Sequence, residues 1–312
     1  MKCLIIDRVH ELIGQELSKY MTVDTKLLPS TAELAQIIPD YDVLIMRVDP
    51  KITKEVIDAA KNLKVIGVCS VGLNHIDMDA AKAAGIQVFN APGMNANAVA
   101  ELTISKMLDM SRHVVPAHLD VTKNHEWDKY KFVGRELRGR TLGIMGFGRI
   151  GRRVGELARA FKMNVVAYDP FLKPEDFEKE HAKGVSTEEL LKVSDYITIH
   201  VPLTKDTKDL ISAKSIPDMK NDCIVLNMSR GGIVNEHDIY EALQKGEIGG
   251  YATDVMENEL AGGIPGDNSF VSPLFDCDNF LVSPHLGAQS VDASYDIGVL
   301  ITAKVKEALN LK

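Results

Sequence analysis

Tryptophan is nearly missing from this chain: Trp127 is the only one among 312 residues, and aromatic residues make up 6%. Cysteine is equally sparse. Cys3, Cys69, Cys223 and Cys277 lie far apart and form no C-x-x-C pair. That excludes a disulfide framework and suits reduced, mostly buried thiols in a cytosolic protein. Basic charge is in deficit, with 36 Lys+Arg against 44 Asp+Glu and a net charge of −8. An acidic chain is a poor general ligand for nucleic acid or an anionic membrane, so neither partner is expected. No apolar run reaches the ~18 residues of a membrane span. The opening MKCLIIDRVH is broken by Asp7 and Arg8 before it could serve as a signal-peptide core. Nine histidines are present without an H-x-x-x-H pair, and His113, His118 and His125 are spaced so that a straight helix would not converge them. No metal site is expected.

What is present is ordinary globular composition, 45% hydrophobic and 26% charged, at a length that suits about two domains. Short β-branched apolar runs recur along the chain. Strands are expected at Lys2–Asp7, Val43–Arg47, Val65–Ser70 and Gln87–Asn90, and in a second series at Leu142–Gly146, Asn164–Asp169, Tyr196–Val201, Cys223–Met228, Gly250–Val255 and Phe280–Ser283. Most are continuously apolar, as in parallel strands covered on both faces. Helical spacing fills the intervals, for example Arg149–Lys162, Thr187–Val193 and Glu236–Lys245. The pattern predicts an α/β protein with two doubly wound parallel-sheet domains. A long helical stretch, Asn97–Lys123, separates the two series, and a last helix, Gln289–Leu309, is expected to return to the first. The expected boundaries are therefore 1–97 plus 286–312 for one domain and 98–285 for the other.

The strongest motif is Gly146-Phe147-Gly148-Arg149-Ile150-Gly151, a G-x-G-x-x-G placed between an apolar strand and an amphipathic helix. In that context the first glycine permits the turn, the second admits a pyrophosphate, and the third packs helix against strand. The following strand ends at Asp169, where a carboxylate would accept the ribose hydroxyls and repel a 2′-phosphate. The expected cofactor is NAD rather than NADP. In such sheets ligands bind beyond the carboxyl ends of strands. Candidates there are His200, Val201 and Pro202, the run Asn227–Gly232 with Arg230, Asp254 with Glu257 and Glu259, and His285. A histidine, a carboxylate and an arginine suit proton transfer, its orientation and the binding of an anionic substrate. Spacing alone does not show that they converge.

Together with Val68–Asp77 and Asn90–Glu101, these motifs resemble the D-2-hydroxyacid dehydrogenases, over nearly the whole chain and in the family's order. The resemblance implies a Rossmann NAD-binding domain inserted into a flavodoxin-like substrate domain. It implies hydride transfer between NAD and a small 2-hydroxy or 2-oxo acid, with His285 as general acid/base, Glu259 as its partner and Arg230 binding the substrate. Glu259 is chosen over Glu257 by register from Asp254, although Leu260 stands where the family usually has proline. Asp254 would lie by the nicotinamide carboxamide, and His200, Val201 and Pro202 by the adenine. Ser70, Val71 and Gly72 would offer backbone N–H groups to the substrate carboxylate. Arg47, with Lys51 or Lys54, is a candidate for the substrate's side group, whose identity stays open. Asn74-His75 is an unusual polar pair read as a helix start. Asn235 stands where the family often has an acid, and asparagine caps a helix equally well. A homodimer is expected through Asn97–Lys123, which carries Val99, Leu102, Ile104, Met107, Leu108 and Met110. An NAD-sensing co-repressor of the same fold is the alternative reading.

Overall fold

The computed structural model describes residues 1–259 and 270–311. The chain divides into two units, Met1–Asn95 with Ala288–Lys312, and Ala96–Gly287. The first runs β1 (Lys2–Ile5), α1 (Leu12–Leu17), β2 (Thr22–Thr25), α2 (Thr31–Ile37), β3 (Val43–Met46), α3 (Lys54–Ala59), β4 (Val65–Val68), α4 (Met78–Ala83) and β5 (Gln87–Phe89). The second begins with α5 (Ala96–Arg112) and α6 (Val114–Leu119). It continues through β6 (Thr141–Met145), α7 (Arg149–Ala160), β7 (Asn164–Tyr168), α8 (Pro174–Lys179), β8 (Lys183–Gly184), α9 (Thr187–Val193) and β9 (Tyr196–Ile199). It closes with β10 (Ile224–Asn227), α10 (Glu236–Lys245), β11 (Gly250–Thr253) and β12 (Phe280–Val282). Helix α11 (Val291–Ala308) then returns to the first unit.

Every strand pair is parallel. The first sheet has the order β2-β1-β3-β4-β5 and the second β12-β11-β10-β9-β6-β7-β8. Strands β3, β4, β9, β10 and β11 are buried along their whole length, and each sheet carries an apolar cluster on either face. That is why their sequences read as unbroken apolar runs rather than alternating ones. In the first unit Ile297, Ile301 and Val305 of α11 complete the cluster around Cys3, Ile5, Val43 and Val65.

The fold departs from expectation in three places. Strands β2 and β8 lack the apolar signal because they are edge strands with mostly exposed residues. The Asn97–Lys123 stretch is not one helix: it breaks at His113, which adopts φ +54, while Asp109 accepts the Val115 N–H at 2.7 Å. Ile104 and Met107, expected at a subunit surface, are buried in an apolar cluster of their own unit, and Val99 is buried as well. The exposed apolar side chains lie further on, at Val114, Val115, Leu119, Val121, Trp127, Tyr130 and Val133.

Candidate active site

In the second unit, β6 delivers the glycine turn to the amino end of α7. Gly146 has φ +89, and a Cβ there would stand 2.7 Å from the His200 carbonyl oxygen. A Cβ on Gly151 would stand 2.2 Å from the Gly146 carbonyl oxygen, so only glycine lets helix and turn close together. A Cβ on Gly148 would meet open space. Gly148 is also the N-cap of the twelve-residue α7 and brings no side-chain acceptor, so the first-turn N–H groups are suited to an anion. Asp169, one residue past β7, accepts the Phe147 N–H at 3.0 Å through one oxygen and the Phe171 N–H at 3.0 Å through the other. The acid is thereby tied to the glycine turn, with lone pairs remaining for a ribose diol. This cradle fits a dinucleotide: open space above a glycine, an uncapped helix end and a carboxylate at the neighbouring strand tip.

His200 is enclosed. Its Nε2 lies 2.9 Å from the Thr198 Oγ1, and burial drives its pKa down to about 3, so the ring is neutral. Its carbonyl lies under Gly146 and Val201 packs beside it, while Pro202 is exposed. Neutral and enclosed, His200 is unsuited to carrying a proton for the reaction.

Three strand ends bear the polar cluster. At β10, the Asn227 side chain donates to the Arg230 carbonyl at 2.9 Å and accepts the Ser229 N–H at 3.1 Å. The exposed Arg230 guanidinium donates to the Ser229 carbonyl at 2.7 Å. At β11, the buried Asp254 carboxylate accepts N–H groups from Leu286 at 2.8 Å and Gly287 at 2.7 Å, and the Ser283 hydroxyl. Its own carbonyl accepts the His285 N–H at 2.9 Å. This turn follows β12 and holds His285 at φ +53, a conformation non-glycine residues rarely take.

There the structure brings Glu259 and His285 together, with Nδ1 at 3.0 and 3.2 Å from the two carboxylate oxygens. Because a carboxylate only accepts, Nδ1 is the protonated nitrogen and Nε2 is left for chemistry. Burial pushes the Glu259 carboxyl up, but the His285 hydrogen bond and charge, with Arg230 adding, hold it below the usual range. Glu257 contributes a backbone N–H to Glu236 at 2.7 Å.

Two features of this cluster escaped the sequence. Asp254 organises the His285 turn, and Lys106 of α5, only 4% exposed, lies within the field of Asp254 and Asp109. Desolvation lowers the Lys106 pKa from 10.5 to about 8, against the pull of both carboxylates. Lysine on a helix gives no warning of this until the packing is known.

In the first unit, the turn after β4 commits its carbonyls to the protein. Ser70 accepts the Ala91 N–H at 3.0 Å, Val71 the Asn90 side chain at 2.7 Å, and Gly72 the Ser70 hydroxyl at 3.1 Å. Its amides are therefore the polar groups the turn has to offer an anion. Arg47 is fixed at both ends: its N–H donates to Asp7 at 3.1 Å and its guanidinium to Gln289 at 2.8 Å. Lys51 is exposed, and Lys54 pairs with Asp58 at 2.6 Å. Asp77, rather than Asn74 or His75, caps α4 by accepting the Ala80 N–H, and the His75 carbonyl accepts from Ile52. Asn235 does cap α10, accepting the Asp238 N–H at 3.1 Å. Among the described residues no group of three or more His, Cys, Asp or Glu side chains could hold a metal ion, and no helix is long and apolar enough to cross a membrane. Leu260 and the loop residues through 269 lie outside the described residues.

Residues 104–287 match the family described as D-isomer specific 2-hydroxyacid dehydrogenase, NAD binding domain. The chain is 40% identical to the D-3-phosphoglycerate dehydrogenase of Methanocaldococcus jannaschii over 99% of its own length and 57% of that protein's. It is 39% identical to the hydroxypyruvate reductase of Thermotoga maritima over 89% of itself and 88% of that protein. It thus spans little more than half the length of several phosphoglycerate dehydrogenases it matches. Among solved structures, a D-lactate dehydrogenase from Aquifex aeolicus, complexed with NAD and lactic acid, superposes with a TM-score of 0.82 at 28% identity, covering 99% of this chain and 96% of that one. With NAD as the cofactor of its second unit, the chain belongs to the D-isomer specific 2-hydroxyacid dehydrogenase family.

Proposed function

We propose that this chain catalyses reversible hydride transfer between NAD and a small D-2-hydroxy acid, yielding the matching 2-oxo acid. The observation that carries this reading is the Glu259–His285 pair, which leaves Nε2 of a turn-mounted histidine available. Bound NAD supplies the hydride acceptor, and NADH the donor. In oxidation, Nε2 of His285 takes the proton of the C2 hydroxyl; in reduction it returns a proton to the 2-oxo oxygen. Glu259 stays ionised, fixes the tautomer and stabilises the imidazolium. Arg230 presents a planar fork that suits a carboxylate and the adjacent oxygen. Asp169 selects an unphosphorylated ribose, and the first-turn amides of α7, from Arg149, Ile150 and Gly151, serve the pyrophosphate. Asp254 serves chiefly by holding the His285 turn. In the first unit, Ser70, Val71 and Gly72 recognise the substrate carboxylate, and Arg47 contributes a fixed cation.

The names of the relatives support the class, since phosphoglycerate, hydroxypyruvate and lactate enzymes all act at a 2-hydroxy or 2-oxo carbon. The four cysteines are free and buried, which suits the cytoplasm. The exposed apolar band from Val114 to Val133 supports a homodimer. The test is a panel of glyoxylate, hydroxypyruvate, 3-phosphohydroxypyruvate, pyruvate and branched 2-oxo acids, each with NADH. Oxidation of NADH with one of them is expected. NADH binding without turnover on any would overturn the reading in favour of an NAD sensor.

A further inference from the structure

Glu259 can meet His285 only if the segment leaving β11 is held in place, and two contacts at the Met256–Glu257 peptide help to hold it. The first is backbone on backbone. A Cβ on Gly231 would stand 2.2 Å from the Met256 carbonyl oxygen and 2.7 Å from the Glu257 nitrogen, so only a glycine lets the strand end after Arg230 lie against this peptide. The second is a single hydrogen bond. Glu236, the first residue of α10, is half-buried and accepts the Glu257 N–H at 2.7 Å through Oε1. Met256 is buried, and its carbonyl accepts the Glu259 N–H at 3.3 Å, so the grip on peptide 256–257 is passed to Glu259 through one turn.

We infer that Glu236 is a positioning residue for the proton shuttle: its carboxylate and the missing side chain of Gly231 clamp the Met256–Glu257 peptide and so set the register of Glu259 against His285. The inference rests on the shuttle reading given above. The economy of the arrangement lies in where Glu236 sits. Its own helix is capped by Asn235, so its carboxylate is not consumed in capping and is available to the loop. Burial pushes the Glu236 carboxyl up, and the charge of Glu257 adds to this, while the hydrogen bond from the Glu257 N–H pulls it down. A half-buried carboxylate facing a second carboxylate is an unfavourable surface choice, which fits a group retained for the bond it makes.

The test compares Glu236→Gln, Glu236→Ala and Glu236→Asp, with Glu259→Gln as the reference. Glutamine keeps an acceptor at Oε1, so Glu236→Gln should hold kcat within about twofold of the unmodified enzyme. Alanine removes the acceptor and aspartate withdraws it by one methylene. Both should lower kcat about 10- to 100-fold while the KM for NADH changes little, because a small misplacement of a proton carrier's partner costs rate rather than cofactor binding. In the Glu259→Gln background the further loss from Glu236→Ala should nearly vanish, since the clamp then has no carboxylate to place. Glu236→Asp keeps the charge and serves if the alanine variant does not fold. Independent, multiplicative losses from Glu236→Ala and Glu259→Gln would overturn the inference, as would a glutamine variant as damaged as the alanine one. A Glu259→Gln variant with unchanged kcat and pH profile would instead overturn the shuttle reading itself.

Discussion

Lys106→Met should stabilise the protein, and the gain should depend on pH in a definite way. Lys106 is 4% exposed, and its pKa falls from 10.5 to about 8 in the folded chain. Burial is the main cause, and the nearby carboxylates of Asp254 and Asp109 offset only part of it. The folded value lies below the unfolded one, so between pH 8 and pH 10.5 the unfolded chain holds more protons and stability rises with pH. Below the folded value the penalty is complete. At about 1.4 kcal/mol per decade it amounts to about 3 kcal/mol near neutrality, about 2 at pH 9 and under about 1 at pH 10. Methionine fills a similar volume without a charge, so the variant should recover most of this near pH 7 and progressively less as pH climbs. Urea unfolding followed by circular dichroism, on both proteins across this pH range, measures the difference directly. A gain independent of pH would mean that packing alone is responsible. A loss of stability at pH 7 would mean that Asp254 depends on the ammonium more than the ammonium suffers from burial, and the reasoning would fail.

Glu259→Gln should lower the rate in both directions, because the carboxylate that fixes the tautomer and orientation of the His285 ring is lost; Glu257→Gln is the control and should leave both rates unmoved. His285→Ala should cost more than Glu259→Gln at every pH, since it removes the proton carrier; steady-state rates in both directions decide this. Asp169→Ala should weaken NADH and narrow the preference over NADPH by about tenfold, and efficient use of NADPH by the unmodified enzyme would refute the role given to Asp169. Sedimentation at micromolar concentration should find a species twice the 34.3 kDa chain, and a monomer would refute the homodimer.

The buried central strands were legible because a strand covered on both faces has to be apolar throughout, as in VLIM of β3 and YITI of β9. The edge strand TVDT of β2 was not, since its partner lies on one side only and its residues stay mostly exposed. The glycine turn was legible for a steric reason: Gly146 and Gly151 stand where backbone carbonyls occupy the place of a Cβ. Choosing Glu259 over Glu257 needed the register of a resemblance, and the 3.0 Å approach to His285 follows that register. The work of Asp254 and the burial of Lys106 had no local signature. Both depend on α5 and three strand ends meeting across long sequence separations, which no periodicity records.

The return of α11 to the first unit has a consequence for synthesis. The sheet of that unit is spelled out by Phe89, yet Ile297, Ile301 and Val305, which cover Cys3, Ile5, Val43 and Val65, arrive about 200 residues later. At ribosomal rates that is a wait of about 10–40 s, with one apolar face of the sheet covered only in part, by Ile13 and Leu17 of α1. The second unit has no such debt to its neighbour, because the residues of both its clusters lie between Ala100 and Leu281. The inserted unit can therefore finish folding first, and its host is the part most in need of a chaperone while the chain is still growing.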